Sequence, residues 1–192
     1  QQNKEVLQGH EARLKIKAGI DKAFKAVAPT IGPVGMTAII EFLGLDPIEC
    51  DDGVTILKNI NLKDHYENMG VQILRKAGLR TSQEGGDGTA TTTVLTHALI
   101  TEAFKEIAND SSKIREVKES LQAGLKEVIT ELSKIKREVK EEDIERIATI
   151  SSLDPEVAKL IAEVIKDVGV NGVITVEKGS KLGYSKEVVK GA

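Results

Sequence analysis

The chain has 192 residues with 27 Lys+Arg against 30 Asp+Glu, and its net charge of −3 argues against a broad nucleic-acid surface, which shows as clustered positive charge. With 40% hydrophobic and 30% charged residues it can bury a core beneath a solvated surface, unlike a disordered chain. The single cysteine, Cys50, excludes an internal disulfide framework and fits a reducing compartment.

The length allows one large domain or two small ones. No apolar run reaches the roughly 20 residues of a membrane span, and no signal peptide precedes the first helical pattern. The expectation is a soluble, cytoplasmic, helix-rich protein with neither nucleic acid nor membrane as a partner. Aromatics make up only 3% of residues, so the core must be built from Ile, Leu, Val and Ala, and stacking platforms for single-stranded nucleic acid are disfavoured.

From Lys4 to Ala28, Leu7, Leu14, Ile16, Ile20, Phe24 and Val27 recur at helical spacing. Pro29-Thr30-Ile31-Gly32-Pro33-Val34-Gly35 stops that pattern. Thr37–Phe42 reads as a strand, Gly44 as a turn, and a second strand ends near Glu49 and Cys50, before the acidic turn Asp51-Asp52-Gly53. From Asn61 a long helical stripe carries Leu62, Met69, Ile73, Leu74 and Ala77 into Gly85-Gly86-Asp87-Gly88. Thr89–Ile107 predicts a helix with Val94, Leu95, Ala98, Leu99, Ala103 and Ile107 as its apolar side. Ser111-Ser112 predicts the cap of another, carrying Val117, Leu121, Leu125, Val128, Ile129 and Leu132. A lysine-rich connector near Lys134–Arg137 marks a subdomain boundary, and the run Lys134–Glu145 reads as a solvated helix face with i,i+4 pairs. Beyond it, Glu141–Ile150 and Pro155–Val168 read as helices, Gly172–Val176 and Glu187–Val189 as strands. The fold class expected is mainly α with small β elements (α+β).

The chemistry concentrates in three short loops. In Gly85–Thr93, glycines let backbone N–H groups converge, and the following helix adds its free N–H groups and partial positive charge, a combination suited to phosphate. Thr89 and Thr91 hydroxyls can donate to phosphate oxygens, and Asp87 offers the hard oxygen preferred by nucleotide-bound Mg²⁺. Alone, the same residues are more often a helix–helix turn with Asp87 or Thr89 as N-cap. Thr30-Ile31-Gly32-Pro33 alone is a tight helix-to-strand connection, and Asp51-Asp52-Gly53 alone an ordinary turn. Neither glycine loop carries the Gly-Lys-Ser/Thr of a Walker A loop or a dinucleotide fingerprint, which disfavours a small-molecule kinase. His10, His65 and His97 do not cluster and read as surface or packing residues. Cys50 has no neighbour that would make it a thiolate.

Taken together, in order and spacing, the loops resemble the group I chaperonins of the bacterial GroEL type. Asp64–Gly70, Gly86-Asp87-Gly88-Thr89 through Leu95, Ile147–Ser151, Lys159–Glu163 and Gly172–Glu177 extend the resemblance over nearly the whole chain. It implies an ATP-driven protein-folding subunit working in a ring of identical subunits, with unfolded polypeptides and a cochaperonin bound through an apical domain. Residues 1–133 would be the first half of an equatorial ATPase domain. Residues 134–192 would be the ascending half of a small α/β intermediate domain, and the chain the opening portion of a longer protein, cut at the apical hinge.

The resemblance further implies roles for individual residues. Thr30, Ile31, Gly32 and Pro33 would hold the nucleotide and a phosphate-side cation, K⁺ being a candidate. Asp87 would ligate Mg²⁺, and Gly88, Thr89, Ala90 and Thr91 would form the phosphate loop of an ATP site. Asp51 and Gly53 would contact the nucleotide, and Asp52 would lie near the γ-phosphate as a supporting catalytic carboxylate. Ile150 and Ser151 would face the nucleotide. The main water-activating Asp and the adenine-facing residues come in that family from segments outside this chain, so the isolated 192 residues are expected to be inactive. Asp51 stands where the family usually has Lys, Ala90 where it has Thr, and Val34 where it has Lys, and the family's Pro is absent from Lys134–Lys140. These departures keep a second reading open, a ring-assembly scaffold with weak or no turnover.

Overall fold

The computed structural model describes residues 6–32, 35–41, 46–108, 110–169, 171–177, 179 and 183–189. The helices in chain order are α1 (Gly9–Val27), α2 (Gly53–Asn59), α3 (His65–Gly85), α4 (Thr89–Ile107), α5 (Ile114–Ile135), α6 (Glu141–Ser152) and α7 (Pro155–Val168), and the strands are β1 (Ala38–Ile40) and β2 (Ile48–Cys50). The chain divides into two compact units, Gln1–Leu125 and Lys126–Ala192. Among the described residues, no helix is long and apolar enough to cross a membrane.

In the first unit α1 packs on α3, with α2 and α4 against the same pair. Ile20, Ala23, Val27, Ile56, Leu57, Val71 and Leu74 form the core, all aliphatic as the composition requires. The approach of α1 to α3 is backbone on backbone. A Cβ on Gly19 would lie 1.7 Å from the Glu67 carbonyl oxygen, and one on Gly70 2.0 Å from that of Ile16. Glycine at both crossing positions lets the helices touch, and ion pairs Lys15–Asp64 and Lys22–Glu67 flank the contact. Alongside, Phe24 stacks on His97 with ring centroids 3.8 Å apart, and His97 Nε2 lies 2.7 Å from Asp21 Oδ1, so this histidine is a packing residue.

β1 and β2 pair antiparallel, with Ile39 opposite Glu49, and Ala38, Ile40 and Cys50 lean on the core. The remainder of the expected first strand, Phe42, and the Gly44 turn lie outside the described residues. Thr89–Ile107 is helical as expected, but its buried face is not the apolar one. Thr89 and Thr93 are buried, whereas Leu95 and Leu99 are 58% and 53% exposed. The threonines tolerate burial because their hydroxyls donate to the carbonyls of Gly78 and Thr89. The cap before α5 is Asp110, whose carboxylate accepts from the Ser112 N–H and hydroxyl, rather than either serine. No residue of α5 is buried.

In the second unit α6 packs on α7 around Ala148 and Ala158, and Asp154 caps α7 by accepting from Glu156 and Val157 N–H. The run Lys134–Glu145 is not one solvated helix face. It breaks at 136–140, and Asp143 is buried. The expected strands at Gly172–Val176 and Glu187–Val189 are not formed. A strand needs a ladder partner for its N–H and C=O groups, and none pairs there among the described residues, leaving Val173 and Val176 almost wholly exposed. Just before the second of these segments, the chain is tied to α7 and its cap by side chains, with Tyr184 Oη donating to Asp154 and Lys186 to Asp167.

Candidate functional site

Three loops far apart in sequence meet at the N-terminus of α4. Gly86 and Gly88 both adopt left-handed backbone, with φ of 78° and 95°, which reverses the chain between α3 and α4 without a side-chain penalty. Gly88 is the N-cap and has no side chain to bond to the first turn, so the N–H groups of Thr89, Ala90 and Thr91 are left for an external acceptor. Intrahelical bonding begins with Thr92 N–H donating to Gly88 C=O at 2.8 Å. Asp87 is exposed and does not cap the helix. Its Oδ1 accepts only the adjacent Gly88 N–H, at 2.6 Å.

Gly53 sits directly against this turn. A Cβ there would lie 3.5 Å from Ala90 N, 3.6 Å from Thr89 Cγ2 and 3.4 Å from Val27 Cγ1. Gly53 at the end of the acidic turn thus lies close beside the α4 terminus and the end of α1. The 3-10 turn Ala28–Thr30 that continues α1 also packs on α4. The following loop is fixed by Gly35 N–H to Gly32 C=O and Met36 N–H to Pro29 C=O. Ile31 is exposed, and Gly32 is left-handed. Pro33 and Val34 lie outside the described residues.

The side chains differ from the expected donors. The Thr89 hydroxyl points inward to Gly78 C=O at 3.3 Å, and that of Thr30 donates back to Val27 C=O at 2.8 Å. Only Thr91 presents an exposed side chain on the first turn of α4. The terminus therefore offers chiefly main-chain N–H groups, and replacing Thr by Ala at position 90 costs it none of those.

Asp52 is the N-cap of α2. Its carboxylate accepts from Val54 N–H at 3.2 Å, Thr55 N–H at 2.9 Å and the Thr55 hydroxyl at 2.6 Å. Partial burial pushes its carboxyl up, but the hydrogen bonds from Thr55 and Val54 outweigh this and hold it below the usual range. Asp51 beside it is exposed. Arg75, which no sequence motif singles out, closes the far end of α2 by donating to the Leu57 and Ile60 carbonyls. Thr55 carries no sequence signal beyond its place three residues after Asp52, the spacing of an N-cap bond. Ile150 and Ser151 belong to the second unit, on the last turns of α6, where Ile150 is 75% exposed.

Among the described residues no cluster of three or more His, Cys, Asp or Glu side chains could cage a metal. One exposed carboxylate at an anion-accepting helix end fits a different demand, that of a Mg²⁺ carried mainly by phosphate oxygens and water. The geometry is that of an uncapped helix N-terminus with one exposed carboxylate beside it, on a mainly helical scaffold.

Comparison with known proteins goes further. The TCP-1/cpn60 chaperonin family profile matches residues 24–191, and this chain belongs to that family. Its structure is similar to that of the chaperonin gp146 from bacteriophage EL 2 (Pseudomonas aeruginosa), crystallised in the presence of ATP-BeFx. In one crystal form the TM-score is 0.70 with 26% identity, covering 86% of this chain and 30% of that one. In another crystal form the TM-score is 0.70 with 27% identity, covering 84% and 29%. A group III chaperonin in the open state shares the fold at TM-score 0.70 and 21% identity, over 84% of this chain and 32% of that one. This chain thus spans about 30% of the length of the chaperonins it matches.

Proposed function

We propose that this chain is part of an ATP-binding and ATP-hydrolysing subunit of a chaperonin ring, of the group I type by its loop motifs, that couples nucleotide turnover to the folding of other polypeptides. The observation that carries the reading is the meeting of Val27, Gly53 and Ala90 around a helix end whose first three N–H groups lack a side-chain cap. Membership of the chaperonin family and likeness to a chaperonin crystallised with ATP-BeFx support the choice of nucleotide over a simple anion.

In this reading Thr89, Ala90 and Thr91 N–H groups hold phosphate oxygens, and the positive end of the α4 dipole favours their charge. The loop 30–33 closes the nucleotide side, where K⁺ would sit, and Asp87 would hold Mg²⁺. That ion, when bound, neutralises phosphate charge for transfer of the terminal phosphoryl group to water. Asp52, kept ionised by Thr55, contributes a negative charge beside the terminal phosphate that helps to orient water. Residues 1–133 serve as equatorial and 134–192 as intermediate domain, with Ile150 and Ser151 brought to the nucleotide. Identical subunits, substrate polypeptides and a cochaperonin are the partners, and the cytoplasm is the compartment.

The test is Asp87→Ala in the full-length protein. ATP turnover in the presence of Mg²⁺ should fall by about 10²-fold or more, with thermal unfolding unchanged, since the side chain makes one exposed bond to its neighbour. Near-normal turnover in a folded mutant would overturn the assignment, and a wild-type protein without turnover would favour the scaffold.

A further inference from the structure

The short link between α5 and α6 is closed by one side chain. Lys136 N–H completes α5 by donating to Leu132 C=O, and Lys140 begins α6 in extended backbone. Arg137, Glu138 and Val139 lie between, with neither glycine nor proline to set their course. Arg137 reaches across them and donates to both oxygens of Asp143, Nη1 to Oδ2 at 2.6 Å and Nη2 to Oδ1 at 3.0 Å. Asp143 is 8% exposed and also accepts the Lys140 N–H at 3.1 Å, while its own N–H donates to Lys140 C=O. Planar two-point pairing fixes direction as well as distance, which a single lysine bond does not. Lysine at 140 has no acceptor for a helix cap, so Asp143 takes that duty from inside the first turn.

The clasp also borders a cleft of about 270 Å³ lined by Arg137, Val139, Asp143, Arg146, Ile147 and Ile150 among others. Positions 143, 146, 147 and 150 are spaced to share one face of α6. The residue gripped by Arg137 and the residue proposed to face the nucleotide therefore stand two turns apart on a single rigid strip.

We propose that Arg137 and Asp143 are positioning residues, a clasp that sets how the 136–140 link enters α6 and thereby where Ile150 and Ser151 are carried. This rests on the chaperonin ATPase reading above, in which those two residues meet the nucleotide. Arg137 would act through α6, on the reacting geometry and not on the phosphate grip of α4. Hydrogen bonds from the Arg137 guanidinium and the Lys140 N–H hold the Asp143 carboxyl at about 2, which keeps the pair charged throughout the neutral range.

The experiment uses the full-length protein and compares wild type, Arg137→Ala and Arg137→Lys in steady-state ATP turnover, with unfolding followed in parallel. The expected result for Arg137→Ala is a kcat lowered about three- to tenfold with KM within about twofold, because only geometry beyond binding is disturbed. Arg137→Lys should fall between. A folded Arg137→Ala protein with unchanged kcat, or one whose kcat and KM move together, would overturn the clasp while leaving the ATPase reading intact. Absence of turnover in wild type would overturn both.

Discussion

Replacing Gly70 by Ala tests whether the α1–α3 contact organises the first unit. The added Cβ would stand 2.0 Å from Ile16 O and 2.8 Å from Ile20 N, all backbone, so no side chain can swing aside. Ordinary contact begins near 3.4 Å, and the two helix axes must part by about 1.4 Å to reach it. A gap of that size forfeits up to about half of the dispersion attraction across the interface, where Ile20, Val27, Val71 and Leu74 are fully packed. Overpacking costs about 1–3 kcal/mol when side chains can shift, and backbone on both sides puts this site at about 3 kcal/mol or above. Alanine returns about 1 kcal/mol through helix propensity, leaving a net loss of about 2 kcal/mol or more. In urea unfolding followed by circular dichroism, that lowers the midpoint by about 1 M for a slope of about 2 kcal/mol/M. Gly124 on α5 has nothing within 4 Å of its would-be Cβ, so Gly124→Ala is the control and should stabilise by about 0.4–1 kcal/mol. A Gly70→Ala midpoint at or above wild type would refute the close-contact reasoning.

Asp52→Ala should lose about 0.5–2 kcal/mol by uncapping α2, whereas Asp52→Asn should keep most of that stability yet lower ATP turnover in the full-length protein. Equal turnover in wild type and the Asn variant would reduce Asp52 to a cap. The Asp143 carboxyl is held by Arg137 and the Lys140 N–H at about 2, below its ordinary 3.8, so its contribution to stability is complete above 3.8 and drains away as pH falls toward 2. Acid unfolding of Asp143→Asn should lack that part of the pH dependence, and an identical profile would contradict it. The isolated segment Gln1–Ala192 should show no ATPase above background, and the exposed apolar faces of α4 and α5 should make it self-associate. A monodisperse segment with turnover matching the complete protein would defeat that expectation.

Most helices were readable because their signals are local. Pro155 opens α7 behind a capping Asp, and Gly86 and Gly88 bracket the reversal before α4. The three glycine and acidic loops were visible as motifs, and their meeting was implied only by resemblance. What escaped was set by partners distant in sequence. Periodicity pointed α4's Leu95 and Leu99 inward, but the close packing at Gly53 and Gly78 admits only the smaller Thr89 on that side. Charge density made Lys134–Glu145 look uniformly solvated, because nothing in a run of Lys and Glu says that one Asp will be gripped by Arg137. Gly172–Val176 reads as a strand, but a strand's existence depends on a neighbour that its own residues do not name.

Thr89 joins two things usually kept apart. Its N–H faces the outside at the head of α4, while its methyl lies by Gly53 and its hydroxyl is tethered to the Gly78 carbonyl. Whatever occupies the helix head therefore presses on a residue keyed into α3 and the start of α2, with no flexible loop between to absorb the load. Occupancy should be felt as mechanical stiffness across the first unit. Slower amide exchange in the middle of α3, around Leu74 and Gly78, would be its signature, well away from any atom that a ligand touches.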